Sequence, residues 1–311
     1  MKKIVWLLMM VVMPMVMMPM VANAAFSRNV DLEDEDELFH RLDQYIARRD
    51  EFSSKKEKKL IRMKKKLNLT SDKRERLNLF NQIYREYYTY RYDSAMVYAN
   101  RGLQLAEQLH DAYYIDLNKI NRAAVLSTGG FYSQAEDLLL SLNPEDISPK
   151  LKQYYYYTLT WVYNYWESFC ERSEFKEGML DKKRLYLAKT LEYVGNKQSA
   201  LYYYLSGELE YLLHRTDKKV LNWYQKAFAA SPVDSRVHAS SAYCIARYYH
   251  DNEQMDLYEK YLVEAAISDQ VCPLKENLAL QELSTYLYNK DAKYAKRVSK
   301  YIYCSMEDAQ F

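Results

Sequence analysis

Residues 204–232 read YLSGELEYLLHRTDKKVLNWYQKAFAASP, and the spacing inside this stretch decides the fold. Tyr204, Tyr211, Val220, Tyr224, Ala227 and Pro232 follow one another at intervals of seven, nine, four, three and five residues. That series is the pattern of a tetratricopeptide hairpin, in which two antiparallel helices cross at small or slim side chains and a proline ends the unit. Gly207 stands one place ahead of the position where the pattern sets a small residue in the first helix, so the crossing there is expected to depart from the usual form.

The same arrangement recurs on both sides. In GGFYSQAEDLL, residues 129–139, Gly130 is suited to a left-handed turn, Tyr132 follows, and Ala135 permits close helix approach. Ala95 takes the crossing place in YDSAMVYANRGLQLA, with Tyr92 three residues earlier. Leu257 takes it in YYHDNEQMDLYEKYLVEAA, where Asn252 holds the turn place, and Ala295 takes it in DAKYAKRVSKYI. The crossing positions 95, 135, 220, 257 and 295 are separated by 40, 85, 37 and 38 residues. The long interval is two repeats, with a degenerate unit between Lys150 and Leu191. The chain is therefore predicted to be all-α, with six helical hairpins stacked as one solenoid over residues 70–311. Each hairpin buries its apolar face only against its neighbours. Composition agrees: six Gly and six Pro are too few for many short strands joined by tight turns.

Residues 25–69 form a separate segment. Its acidic start, DLEDEDELF, suits a helix N-terminus. Leu38, Leu42, Tyr45, Phe52, Leu60, Met63 and Leu67 then line one face, which predicts a single amphipathic helix over about residues 34–68 that covers the open face of the first repeat. Its tail, KKEKKLIRMKKKL, is strongly basic. A solvated face explains it; contact with an acidic partner or with lipid headgroups is the other reading.

Residues 1–24 have the form of a signal peptide: Lys2 and Lys3, an apolar run, then Ala22-Asn23-Ala24 as a cleavage site. This predicts an exported protein, in the periplasm of a bacterium. Lys2 and Lys3 account for the excess of 44 basic over 42 acidic residues, and removing them leaves 42 of each. That balance and the export signal both argue against a nucleic-acid partner.

The run QYYYYTLTWVYNYW, residues 153–166, carries two aromatic stripes at helical spacing. Tyr155, Leu159, Val162, Trp166 and Phe169 form one and read as core. Tyr154, Tyr157, Trp161 and Tyr165 form the other. First helices line the concave surface of such a solenoid, and Tyr and Trp offer both a flat ring and a polar handle. These four residues, with Tyr202 of the next repeat, are the candidate ligand-binding groove.

No catalytic constellation is present in the sequence, and no cofactor or metal is implied. The five histidines are scattered, and HDNE at 250–253 falls between two helices, where a solvated turn explains it. The four cysteines match no zinc motif. Cys272 precedes the last hairpin and Cys304 lies late in its second helix, so antiparallel packing makes them candidates for a disulfide despite an offset of about three residues, roughly 4.5 Å of helix rise.

Four segments, FHRLDQYIARRDEFSSKKEKKLIRMKKKL, YDSAMVYANRGLQLAEQL, YEKYLVEAAISDQVCPLKENLALQELSTYLY and SKYIYCSMEDAQF, resemble the periplasmic halves of the tetratricopeptide-repeat membrane regulators of Bacteroidales. The resemblance spans nearly all of the chain after residue 24. It implies a sensing domain that is followed in that family by a membrane helix and a cytoplasmic coiled coil; this sequence stops at Phe311, near where the membrane helix would begin. It brings no catalytic residues. The expected function is binding of a protein or peptide partner as the sensing part of an envelope regulatory system. The rivals are a carbohydrate-binding module that uses exposed Tyr and Trp, and a truncated remnant that no longer signals.

Overall fold

Asp72, Asp111, Ser199 and Ser235 each open a helix by accepting a hydrogen bond from a backbone N–H of its first turn. Pro149 opens another, at a position where a missing N–H costs nothing. These five residues punctuate the chain, and the helices they start are the first members of successive hairpins. The computed structural model describes residues 34–170, 173–272 and 278–309. The predicted signal peptide lies outside the described residues.

Two helices precede the repeats, α1 (Glu35–Ala47) and α2 (Arg49–Leu69). Six hairpins follow: α3 (Lys73–Tyr87) with α4 (Tyr92–Gln108), α5 (Ala112–Thr128) with α6 (Tyr132–Leu140), α7 (Pro149–Phe169) with α8 (Ser173–Tyr193), α9 (Ala200–Leu213) with α10 (Lys218–Ala230), α11 (Arg236–Asp251) with α12 (Met255–Val271), and α13 (Leu278–Lys290) with α14 (Ala295–Ala309). Among the described residues there is no strand. Helices pack on their hairpin partner and on the next hairpin, and first helices also touch across repeats, α5 on α7 and α9 on α11. This is the all-α solenoid expected. The long interval between Ala135 and Val220 holds a complete hairpin, α7–α8.

Several predicted details shift by one residue. Ala95, Ala135 and Val220 are fully buried at their crossings. In α12 the buried residue is Tyr258 and Leu257 is only half-buried; in the last hairpin it is Tyr294, and Ala295 is exposed. The pattern looks for a slim side chain, and here a tyrosine takes the place instead. Gly130 does adopt the left-handed turn, at φ +85°. In the α11–α12 turn that conformation belongs to Glu253, at φ +58°, and not to Asn252, which ends α11 and donates its side-chain amide to the Tyr248 carbonyl over 2.8 Å.

The N-terminal segment is two helices and not one. The backbone breaks at Arg48, at φ −100° and ψ +5°. The break exists because the two halves bury their faces in different places. Leu38, Phe39, Leu42 and Ile46 of α1 join the core of the C-terminal repeats, and α1 packs on α12. Leu60 and Leu67 of α2 pack with α3 and α4. So α2 covers the first repeat, whereas α1 reaches the last one. Ion pairs lock it there: Arg41 with Glu264 at 2.5 Å, Glu35 with Lys290 at 3.5 Å, and Asp43 with Lys300 at 2.8 Å. The superhelix thus curls until its beginning meets its end, and the Arg236 guanidinium of α11 lies 5.9 Å from the centre of the Tyr88 ring that follows α3.

Cys272 and Cys304, the candidates for a disulfide, stand without a bond between them in this structure. Cys272 closes α12 rather than opening the last hairpin. It sits among Asp269, Asp234 and the Lys56 ammonium of α2, while Cys304 is buried in α14 near Tyr301. The two side chains face different neighbours.

Candidate functional site

Curling of the superhelix leaves a cavity of about 210 Å³ on its inner face. Trp161, Asn164 and Tyr165 of α7 form one wall, Tyr243 and Arg247 of α11 the opposite one, and Glu208 of α9 contributes between them. Thr89, from the turn after α3, and Leu278 and Ala279 of α13 close the ends. Small residues make the room: Ala239 and Ser240 stand on α11 where larger side chains would fill it.

Glu208 organises the site. It is buried, and its Oε1 accepts from the Tyr224 hydroxyl at 2.6 Å, Arg247 Nη2 at 2.9 Å and the Cys244 thiol at 3.2 Å. Burial pushes this carboxyl up. The charges of Arg247 and Lys183, with the bonds from Tyr224 and Cys244, outweigh that effect and hold it below its ordinary value. The Arg247 guanidinium also lies 3.8 Å from the centre of the Tyr211 ring, a cation–π contact. Burial pushes the Cys244 thiol far up, and the Glu208 charge adds to it, so this sulfur stays protonated and serves as a donor rather than a nucleophile. On the α11 wall the Tyr243 hydroxyl donates to Glu282 of α13 at 2.5 Å, and Tyr258 donates to the other oxygen of the same carboxylate at 2.8 Å. The wall is thereby held in one position.

Of the five groove residues expected from sequence, Trp161 and Tyr165 line the cavity, with ring centres 5.9 Å apart. Tyr157 backs Trp161 edge-on at 6.0 Å. Tyr154 points elsewhere: its hydroxyl donates to Asn121 Oδ1 at 3.0 Å and meets the Tyr84 hydroxyl at 3.2 Å, inside a polar network between α3, α5 and α7. Tyr202 packs edge-on against Trp223 of α10 at 6.4 Å and is not part of the cavity wall. The core stripe holds for Tyr155, Leu159 and Val162, while Phe169 at its end is 71% exposed. Asp251, from the HDNE turn, is engaged by Arg215 at 2.7 Å and Tyr211 at 2.9 Å. Among the described residues no group of three His, Cys, Asp or Glu side chains could hold a metal ion, and no helix is long and apolar enough to cross a membrane.

A family model described as the SusR N-terminal TPR domain matches residues 46–311. The chain belongs to this family. No curated protein matches the sequence. Seen as a SusR N-terminal TPR domain, the match begins just before the break at Arg48, so nearly all of α1 precedes it while α2 and every repeat fall within it. A tetratricopeptide-type domain is in general a scaffold for protein–protein contacts. The residues that sequence reasoning missed in this SusR-type domain are Glu208, Arg247 and Tyr243. One signal marked them. Gly207 stood a place early because the Tyr224 ring packs onto it, with a Cβ there only 2.6 Å from the ring carbons, and position 208 was left open for a larger side chain.

Proposed function

We propose that this SusR-type domain binds a protein or peptide partner in the concave cavity between α7 and α11, as the sensing part of an envelope regulatory system. The observation that supports this reading is the cavity wall itself: Trp161, Tyr165 and Tyr243 stand around a fixed Glu208–Arg247 pair. Aromatic rings over a partly desolvated charge pair are the composition of an interface anchor site, where Tyr, Trp and Arg are enriched. The leader at residues 1–24 supports export to the periplasm, and the even charge balance supports a partner other than nucleic acid. No cofactor enters this reading, and binding is the whole activity.

The experiment is site-specific photo-crosslinking in cells. A photoreactive phenylalanine at Asn164, on the cavity wall beside Tyr165, is expected to trap a polypeptide, and the same probe at Lys197, on the outside, is not. A glycan ligand would instead give no polypeptide adduct, and soluble oligosaccharide would protect Trp161 fluorescence from quenching. That outcome would replace this proposal with the carbohydrate reading.

A further inference from the structure

The outer face of α2 has no role in the groove. Its sequence, RDEFSSKKEKKLIRMKKKLNL, carries nine basic and three acidic residues. The whole chain has 44 basic and 42 acidic residues, so this is segregation of charge rather than a basic protein. Leu60 and Leu67 turn inward and are buried. Lys55, Lys58, Arg62, Lys65 and Leu69 recur at steps of three and four on the opposite side, and all are exposed. The four cations span about 15 Å along the helix. Lys59 and Lys66, beside this row, are bound to Glu86 and Glu75. Lys58, Arg62 and Lys65 form no ion pair among the described residues, and Lys55 has only its helix neighbour Glu51. Two large apolar side chains stand wet among these cations, Ile61 at 61% exposure and Leu69 at 77%.

A second feature lies at the foot of the same helix. There a cleft of about 440 Å³ is lined by Ser71, Lys73, Arg76, Arg101, Gln104 and Gln108, with Phe80 and Leu105 as its apolar part. Three cations line it and no carboxylate does. The nearby acids are otherwise occupied: Asp72 caps α3, and Glu75 accepts from Thr70 and pairs with Lys66. Arg76 is fixed by donating to the carbonyls of Leu67 at 2.9 Å and Thr70 at 3.2 Å.

From these two features we propose that α2 and the cleft at its foot form a docking surface for an anionic lipid layer. The helix row would lie on the headgroups, Ile61 and Leu69 would enter the acyl boundary, and the cleft would take a headgroup phosphate. Charge complementarity sets the sign of the partner. A straight row with wet apolar side chains set among lysines fits a planar interface, which is the pattern of helices that lie on membranes. An acidic protein would need carboxylates in register with that row, but would have no use for an exposed Leu69. This inference does not depend on the groove or on its ligand.

Co-sedimentation with phosphatidylcholine vesicles, with and without phosphatidylglycerol, at physiological salt tests it. Binding is expected only with the anionic lipid. The variant Lys55→Glu/Lys58→Glu/Arg62→Glu/Lys65→Glu should lose about two to three orders of magnitude in partitioning, from roughly a fivefold effect per basic residue near the surface. A control with the same net charge change elsewhere, Lys197→Glu/Lys218→Glu/Lys219→Glu/Lys296→Glu, should keep most of it. In Leu69→Trp the emission should shift to the blue on anionic vesicles. Absence of binding to anionic vesicles, equal loss in the control variant, or an unshifted Leu69→Trp spectrum would each overturn the proposal. So would capture of an acidic helical peptide by α2 without any vesicle binding.

Discussion

Arg247 donates to Glu208 over 2.9 Å at the base of the groove, and that bond joins α11 to α9, two first helices of neighbouring hairpins. Glu208 is buried and Arg247 partly so, which makes the pair costly to break from one side. Arg247→Met leaves a buried carboxylate facing only Lys183 and two weaker donors, and should cost about 3 kcal/mol of unfolding free energy. Adding Glu208→Leu to that variant should restore much of the loss, because removal of both charges removes the desolvation penalty as well. Urea melts of the two single variants and the double variant check this, and a double variant no more stable than Arg247→Met would contradict it.

The same carboxylate gives an acid limb to the stability curve. Its pKa in the fold is depressed below the ordinary 4.5, against burial, by Arg247, Lys183 and its hydrogen bonds. A depressed carboxyl contributes stability that is complete above the unfolded value and is lost as pH falls through the folded one. Glu259 runs the other way, since burial raises it despite the Lys290 ammonium at 2.6 Å, and its preference for the protonated form favours the fold at low pH. Glu208→Gln should therefore flatten the loss of stability below about pH 4.5, whereas Glu259→Gln should act in the range just above that value, where it removes the stability that the parent gains as pH falls. Thermal melts across both ranges, for the two variants and the parent, separate the two effects.

Three glycines should answer an added methyl group in three ways. Gly207→Ala would put a Cβ 2.6 Å from ring carbons of Tyr224, whose hydroxyl is tied to Glu208, so the ring cannot withdraw freely. Overpacking of that kind costs about 1–3 kcal/mol. Gly130→Ala meets open space but holds φ at +85°, and should cost about 1 kcal/mol from backbone strain alone. Gly178→Ala, exposed within α8 and with nothing near, should stabilise by about 0.5–1 kcal/mol. Chemical denaturation of the three variants checks the order, and a stabilised Gly207→Ala would contradict the close packing of α9 on α10.

Hairpin order and the all-helical class were legible because they rest on apolar spacing and turn residues, as at Val220, Ala135 and Gly130. What was not legible rests on partners distant in sequence. Nothing local at Arg48 marks a break, with no Gly or Pro there; the break follows from α1 finding its burial site on α12, over two hundred residues later. Tyr258 and Tyr294 were passed over at their crossings because the pattern names a slim residue, and the room for a ring is set by the facing helix. Tyr154 was read as a groove residue from its stripe, yet its hydroxyl finds Asn121 and Tyr84 in the interior. Glu208 looked like one more surface acid on an amphipathic helix. Only the misplaced Gly207 hinted that the inner face at that point was unusual.

Tyr154 and Tyr165 lie on one helix, were expected to share one role, and should respond oppositely. The Tyr154 hydroxyl is sequestered, and burial raises its pKa well above that of a free tyrosine. Tyr154→Phe keeps the ring but leaves Asn121 Oδ1 short of a donor, which should cost about 1–2 kcal/mol. It should leave partner capture unchanged, since Tyr154 is not part of the cavity wall. Tyr165→Ala removes a half-exposed ring from that wall, so the loss of stability should be smaller than for a core aromatic, while partner capture in the crosslinking experiment should fall at least about tenfold, as for an interface anchor worth more than 1 kcal/mol. Trp161→Ala stands between them, because Tyr157 packs edge-on against the indole from behind and the residue supports the wall as well as facing the cavity. Melting curves come first, then capture by each folded variant. If Tyr165→Ala captured its partner as well as the parent while Tyr154→Phe did not, the groove would have been placed on the wrong side of α7.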